Sequence, residues 1–240
     1  MSKPKLAVIY RACPLEYGSN PVKEYRPKDF CKLINFLSIY NNHKQDPYFD
    51  ISIHVVFDGE KSQYIFKDFS DVHNLIFTIN RGNLNSYLRC INYACLLNSN
   101  GIQNEKYDLF YFLEDDYLHK PSWSKVLFDG YELAKRDKNT IITLYDHPDR
   151  YTRNDDIDYV MDIILGNNYH WRTSESTTCT YAVTSEDYSQ IFDVAKYYNI
   201  NDREFFRNII LWHNFKLITP IPAPSTHLHI PYISPFFDAR

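Results

Sequence analysis

Short apolar runs alternating with helical periodicity constrain this chain more than any other feature of it. Leu6-Ala-Val-Ile-Tyr10, Ile51–Phe57, Leu75–Ile79, Asp108–Leu113 and Thr140–Tyr145 read as compact buried strands. Between them, Phe30, Leu33, Ile34, Leu37 and Tyr40 recur with the spacing of one helical face, and Pro27 stands where a first turn tolerates proline. Leu84, Leu88, Ile91 and Cys95 form a second such face, and Pro121 opens a third helix running to about Lys135. Asp58-Gly59 and Asn80-Arg81-Gly82 read as turns that close two of the strands. This alternation predicts an α/β fold, a mostly parallel central sheet flanked by helices. In such sheets ligands bind beyond the carboxyl ends of the strands, where segments 11–26, 58–62, 80–83 and 114–120 are expected to converge.

Beyond residue 146 the order changes. A polar stretch over 146–158 leads to strand candidates at 159–165 and 178–184, helical patterns at 185–198 and 202–213, and a strand at 216–221. The last 19 residues, from Pro222, hold four prolines and cannot form a regular helix. With 240 residues, 44% of them hydrophobic and 23% charged, the chain can bury one large core, and it reads as a single domain over 1–240. No apolar run approaches the roughly 18 residues of a membrane span. A net charge of −4 without a basic run argues against a nucleic-acid partner. The five cysteines form no C-x-x-C pair, and the N-terminus runs directly into the first strand. Both features predict reduced thiols and a cytoplasmic setting, with peripheral membrane association left open.

The acidic step Glu114-Asp115-Asp116 directly follows the fourth apolar run. Extended alternation predicts Glu114 and Asp116 on one side and Asp115 on the other. Packed carboxylates repel one another unless a cation or hydrogen-bond donors occupy the space between them. Hard oxygen ligands of this kind suit Mg²⁺ or Mn²⁺, especially with phosphate oxygens completing the shell.

The segment Tyr107-Asp-Leu-Phe-Tyr-Phe-Leu-Glu-Asp-Asp-Tyr-Leu-His-Lys-Pro121 resembles the DXD segment of GT-A glycosyltransferases, particularly family 2. Leu6–Arg11 is similar to that family's first nucleotide-binding strand, Val55-Val-Phe-Asp-Gly59 to its second, and Asn80-Arg-Gly82 to its Asn-x-Gly turn. The resemblance covers roughly residues 5–145. It departs from the family at Glu114, where Asp is usual, and after Gly82, where the Arg-Asn pair is replaced by Asn83-Leu-Asn.

The resemblance implies a single GT-A domain, with about 1–120 binding the nucleotide sugar and about 121–240 binding the acceptor and catalysing. It implies transfer of a sugar from a nucleotide-linked donor, UDP favoured, to a saccharide or other hydroxyl acceptor, with inversion and with Mn²⁺ or Mg²⁺ as cofactor. Asp116 corresponds to the metal ligand. Asp115 and Glu114 fall where ribose or sugar hydroxyls, or the metal through water, are contacted. Asp58 falls where a carboxylate accepts the uracil N–H, and Tyr10, Arg11 and Arg81 fall where the base or phosphate is met. The general base corresponds to Asp202, at the start of Asp202-Arg-Glu204, with Glu204 the substitute if the register is shifted. Asn201 also reads as an ordinary helix N-cap there.

His227 and His229 lie one residue apart in a proline-flanked extended stretch and project to the same side. His227 is the candidate third metal ligand, His229 the alternative. Aromatic residues between Tyr145 and Tyr181 are candidates for stacking on a saccharide acceptor. Two other readings stand beside this one. A sugar-phosphate nucleotidyltransferase needs a Gly-rich basic loop after the first strand, and Arg11–Gly18 supplies one Gly and no Lys. A non-catalytic module would hold the sugar or nucleotide without turnover.

Overall fold

The computed structural model describes residues 2–14, 25–41, 43–69, 71–72, 74–79, 82–100, 106–151, 161–198 and 201–237. Within them, a nine-stranded sheet takes strands from both halves of the chain. In chain order these are β1 (Lys5–Ala12), β2 (Asp50–Asp58), β3 (Asn74–Thr78), β4 (Leu109–Glu114), β6 (Thr140–Ile142), β7 (Ile163–Leu165), β8 (His170–Ser174), β9 (Tyr181–Thr184) and β10 (Lys216–Ile221). The remaining strands, β5 (Tyr117–His119) and β11 (Ser225–His227), pair with each other in a separate ribbon. The helices are α1 (Lys32–Tyr40), α2 (Gly82–Asn100), α3 (Trp123–Arg136), α4 (Ser185–Tyr198) and α5 (Asp202–His213).

The sheet order is β3-β2-β1-β4-β9-β6-β10-β8-β7. From β3 to β4 every pairing is parallel. Antiparallel β9 then separates β4 from β6, and β8 runs against its neighbours β10 and β7. The fold is therefore α/β with a mixed sheet, parallel through its first four positions and interrupted by two reversed strands. Strand β8 escapes a sequence reading because His170-Trp-Arg-Thr-Ser174 has neither an apolar run nor clean alternation. It carries Arg172 into the interior, where Asp146 pairs with it.

Period-two alternation in the central strands builds two cores. Leu6, Val8, Tyr10 and Ala12 of β1 join Leu109, Tyr111 and Leu113 of β4 beneath α1 and α3. Ala7 and Ile9 join Phe110 and Phe112 on the other face, beneath α2, α4 and α5. The alternation has a consequence at the strand ends: Tyr10 is committed to the α1 face, and Arg11 to the face of α2.

Two helices turn differently from the expectation. On α1 the buried stripe is Lys32, Asn35, Phe36 and Ile39, while Leu33 and Ile34 are exposed. The rotation supplies donors to the acidic step: Lys32 reaches the Asp115 carboxylate at 2.8 Å, and Asn35 Nδ2 donates to the Asp115 carbonyl at 2.9 Å. On α2 the buried positions are Ser86, Tyr87, Cys90, Ile91, Tyr93, Ala94 and Leu97, with Leu84 exposed. Ser86 and Tyr87 thereby face Arg11.

Tyr10 is fully buried and packs edge-on against Phe36 and Phe66 at 5.2 and 5.8 Å, so it is a core residue rather than a nucleotide contact. Its hydroxyl has no hydrogen-bond partner among the described residues. Leaving a buried hydroxyl unpaired costs roughly 1–3 kcal/mol. Tyr10→Phe is therefore expected to raise stability or leave it unchanged in urea unfolding. A loss beyond about 1 kcal/mol would reveal a partner for the hydroxyl.

Candidate functional site

Strand order places a crevice at the carboxyl ends of β1 and β4. The chain leaves β1 toward β2 on one side, while β4 enters on the other, and ligands of α/β sheets bind at such a switch. A cleft of about 470 Å³ opens there, lined by the ends of β1, β2 and β4, the start of α2 and the C-terminal residues around β11. A larger groove of about 1020 Å³ lies by Lys5, Asp50 and Asp108, at the opposite ends of the strands. Asp50, Asp71 and Asp108 line it among four lysines, at the strand ends where α/β sheets do not bind their ligands.

The three acids line the cleft, each opposite a cation. Glu114 lies beside Arg11 across the β1–β4 register and forms an ion pair with it. Arg11 also bonds the Asn83 carbonyl at 2.9 Å and the Ser86 hydroxyl at 3.3 Å. Asp115 pairs with Lys32 and accepts the Cys13 backbone N–H at 2.9 Å. Burial acts to lower the Lys32 pKa, but Asp115 and Cys13 together, through charge and hydrogen bonds, outweigh it and hold the ammonium above its usual range. Asp116 receives Arg26 at 2.8 Å and His227 Nε2 at 3.0 Å, both on Oδ2. Burial disfavours its charge, yet His227 and Arg26 prevail and hold Asp116 well below the ordinary carboxylate range. The expected alternation across 114–116 stops at Glu114, because β4 ends there and residues 115–116 turn toward β5.

Pairing of β11 with β5 brings the C-terminal segment to the acidic step. His227 lies opposite Tyr117 in the register, and Leu228 N–H donates to the Asp116 carbonyl at 2.8 Å. The His227 ring stacks on Tyr117 at 5.0 Å, and Tyr232 continues the stack over His229 at 4.7 Å. Burial, with His227 and Arg26 adding to it, holds the His229 pKa below its usual value.

Asp58 lines the cleft from the end of β2, but both of its oxygens hold the scaffold. Oδ1 accepts from the Thr78 hydroxyl at 2.9 Å, and Oδ2 accepts from Gly82 N–H at 2.8 Å. A carboxylate on the first turn of α2 complements the helix dipole. Gly82 has φ +73°, a conformation that glycine adopts without strain. Arg81 lies outside the described residues.

Asp202 opens α5, with Asn201 capping the helix through the Glu204 N–H at 3.4 Å. It sits one layer behind the cleft wall, where Cys179 packs beside Arg11 and Glu114. The Cys179 thiol donates to Asp202 Oδ1 at 3.0 Å. Burial pushes the Asp202 pKa up to about 6, only partly offset by Cys179 and Arg11. Glu204 is on the same turn, and both side chains are half-buried.

The sequence reading misses Arg26, Lys32, Asn83, Ser86 and Tyr232. Lys32 leaves a trace, as a cation on the polar side of a predicted helix. Arg26 leaves none, because its partners lie 90 and 202 residues away.

A divalent cation can be tested against this donor set. Among the described residues no three His, Cys, Asp or Glu side chains form a metal cage. Two ligands do fit. Asp116 Oδ1 and His227 Nδ1 are buried without hydrogen-bond partners. Asp116 Oδ2 and His227 Nε2 already meet at 3.0 Å, a carboxylate beside an imidazole, donor types that Mn²⁺ and Mg²⁺ accept. Asp116 and His227 would thus hold Mn²⁺ or Mg²⁺, with the other positions left to phosphate oxygens and water. No protein-family model matches this chain, and no curated protein sequence is significantly similar to it.

The Asp202 environment sets a pH dependence of stability. Its folded pKa lies above the unfolded value, so the folded state binds the extra proton between about pH 4 and pH 6. That contribution is present at low pH and is lost as pH rises through about 6. Between pH 4 and pH 7, Asp202→Asn is expected to gain on the order of 1–3 kcal/mol relative to wild type in denaturant unfolding. Parallel stability profiles for the two proteins would show that burial does not penalise this carboxylate.

Proposed function

We propose that this protein is a glycosyltransferase that moves a sugar from a nucleotide donor, UDP-linked by preference, to a hydroxyl of a saccharide acceptor, with inversion. One observation carries the reading: Asp116, at the carboxyl end of β4, meets His227 from the C-terminal ribbon inside the switch-point cleft. Carboxylate and imidazole there form a small, hard donor pair beside cations able to meet a diphosphate.

The residues divide the chemistry as follows. Arg11 and Lys32 present positive charge to the diphosphate, and Asn83 and Ser86 hold Arg11 in place. Bound Mn²⁺ or Mg²⁺ would neutralise charge developing on the departing nucleoside diphosphate. Tyr232 and His229 offer stacked rings at the cleft mouth, the kind of surface on which a pyranose or a base packs. Asp202 is assigned as the base that takes the acceptor proton; it stands behind Cys179, whose thiol donates to it, so the acceptor hydroxyl has to reach it past that side chain. Its pKa near 6 leaves it ionised at neutral pH, yet basic enough to accept a proton in the transition state.

A second reading has its own supporting observation. Each acid of the Glu114-Asp115-Asp116 step is already matched by a protein cation. Such a self-neutralised cleft would suit a module that binds the nucleotide or sugar without turning it over.

Incubation with UDP-sugars and Mn²⁺, followed by measurement of released UDP, separates the two readings. The transferase reading expects slow donor hydrolysis without acceptor; tight UDP binding with no turnover would favour the module. Asp116→Ala is expected to weaken UDP binding in Mn²⁺ strongly and to change it little in EDTA. Equal affinities for wild type and variant in Mn²⁺ would remove Asp116 from the site. Asp202→Asn is expected to lower transfer by about 10²–10⁴-fold while leaving UDP affinity near wild type. Near-normal transfer in that variant would move the base elsewhere, with Glu204 tested next.

A further inference from the structure

Asp116 carries its partners unevenly. Oδ2 takes both the Arg26 guanidinium and His227 Nε2, while Oδ1 is buried and unpartnered among the described residues. The same guanidinium donates to the Leu228 carbonyl at 2.8 Å and lies over the Phe30 ring at 4.8 Å. Arg26 is thus clamped between the turn after β4, the residue after β11 and the segment that precedes α1. A cation approaching Asp116 meets a positive charge already fixed on that carboxylate, in surroundings that screen it poorly. The other two acids offer no easier seat, since Arg11 and Lys32 hold them.

We infer that Arg26 is the internal counter-cation of the donor site and competes with a divalent cation for Asp116. This rests on reading the cleft as a nucleotide-sugar site. In the ligand-free protein Arg26 neutralises Asp116. An entering nucleoside diphosphate offers the guanidinium a second anion of matching geometry, because its planar fork suits phosphate as well as carboxylate. Arg26 moves from Asp116 to the diphosphate without leaving the cleft, and Asp116 with His227 becomes free for the cation. Two consequences follow from this exchange. The protein alone binds Mn²⁺ weakly, and diphosphate and Mn²⁺ strengthen each other's binding.

The test is Mn²⁺ titration, read from the EPR signal of the free ion, on wild type, Arg26→Ala and Arg26→Lys, each checked for folding by thermal melting. Without nucleotide, Arg26→Ala is expected to bind Mn²⁺ at least about tenfold more tightly than wild type, while Arg26→Lys, which keeps the charge, stays within about threefold. Adding UDP is expected to raise Mn²⁺ affinity about tenfold or more in wild type and less than about threefold in Arg26→Ala. Unchanged or weaker Mn²⁺ binding by nucleotide-free Arg26→Ala overturns the competition. If Arg26→Ala melts below the assay temperature, Arg26→Gln, uncharged but still able to donate to Leu228, is held to the same criterion. Failure of the donor reading looks different: UDP then binds neither protein, while the nucleotide-free titrations still decide whether Arg26 and Mn²⁺ compete.

Discussion

Three consecutive carboxylates at the end of one strand repel one another, and the geometry of the cleft follows from relieving that repulsion. Two unit charges roughly 5 Å apart at an effective dielectric constant near 20 cost about 3 kcal/mol, a large part of a domain's net stability. Each acid therefore recruits a cation from a different element: Arg11 from β1, Lys32 from α1, and Arg26 from the segment before α1. The demand is strong enough to rotate α1. Leu33 and Ile34 face solvent so that Lys32 and Asn35 can face Asp115. It also anchors the C-terminal segment, since His227 and the Leu228 amide both bond Asp116.

Strands β1, β2 and β4 were legible because they are buried on both faces and rich in apolar residues, while β3, half-exposed at the sheet edge, still carries the apolar run Leu75–Phe77. Alternation inside those runs then fixes which side chains reach the cleft. Arg11 and Glu114 fall on one face, at matched register positions, while Tyr10 falls on the other and is lost to the core. The same alternation was carried one residue too far at Asp116, because a strand-period argument does not contain the turn that ends the strand. Helix faces were less legible. The apolar stripe on α1 predicts burial of Leu33 and Ile34, but buried charge on a neighbouring element overrides a modest hydrophobic preference. Strand β8 was illegible for a related reason: of its buried residues only Trp171 is apolar, and the next, Arg172, is paired with Asp146 26 positions earlier. Electrostatic pairing across long sequence separations leaves no periodic trace.

The approach of His227 to the acidic step depends on such a long-range pairing. Prolines restrict the segment to extended conformations, and an extended segment beside an unpaired strand forms a ribbon readily. The ribbon joins β5 and β11 over Ser225–His227, and the register sets His227 opposite Tyr117, the residue after Asp116. A slip of one residue would point the imidazole to the opposite side. The hydrogen bond from Leu228 N–H to the Asp116 carbonyl holds the register at this end, and Lys120 N–H to the Pro224 carbonyl, at 2.8 Å, holds it at the other.

Where buried polar groups are left unsatisfied is itself informative, because native proteins pair nearly all of them. Away from the cleft this protein follows the rule closely at its demanding sites. Asp129 accepts the Trp171 indole N–H and the Asn168 amide, and His54 is bonded by Tyr93 and Tyr107. Unpartnered buried atoms occur elsewhere as well, at the Tyr10 hydroxyl, Arg172 Nε and the Thr180 hydroxyl, and several stand at the cleft and its ribbon. Asp116 Oδ1, His227 Nδ1, His229 Nδ1 and Asn35 Oδ1 are buried without hydrogen-bond partners among the described residues, and Asp202 is held with its proton affinity raised. A ligand that brings both negative charge and a cation would discharge these costs together, the anion meeting Arg11, Arg26 and Lys32, and the cation meeting Asp116 and His227. The strain against folding and the capacity to bind thus reside in the same few atoms, as expected where a fold gives up local stability to keep a site prepared for its ligand.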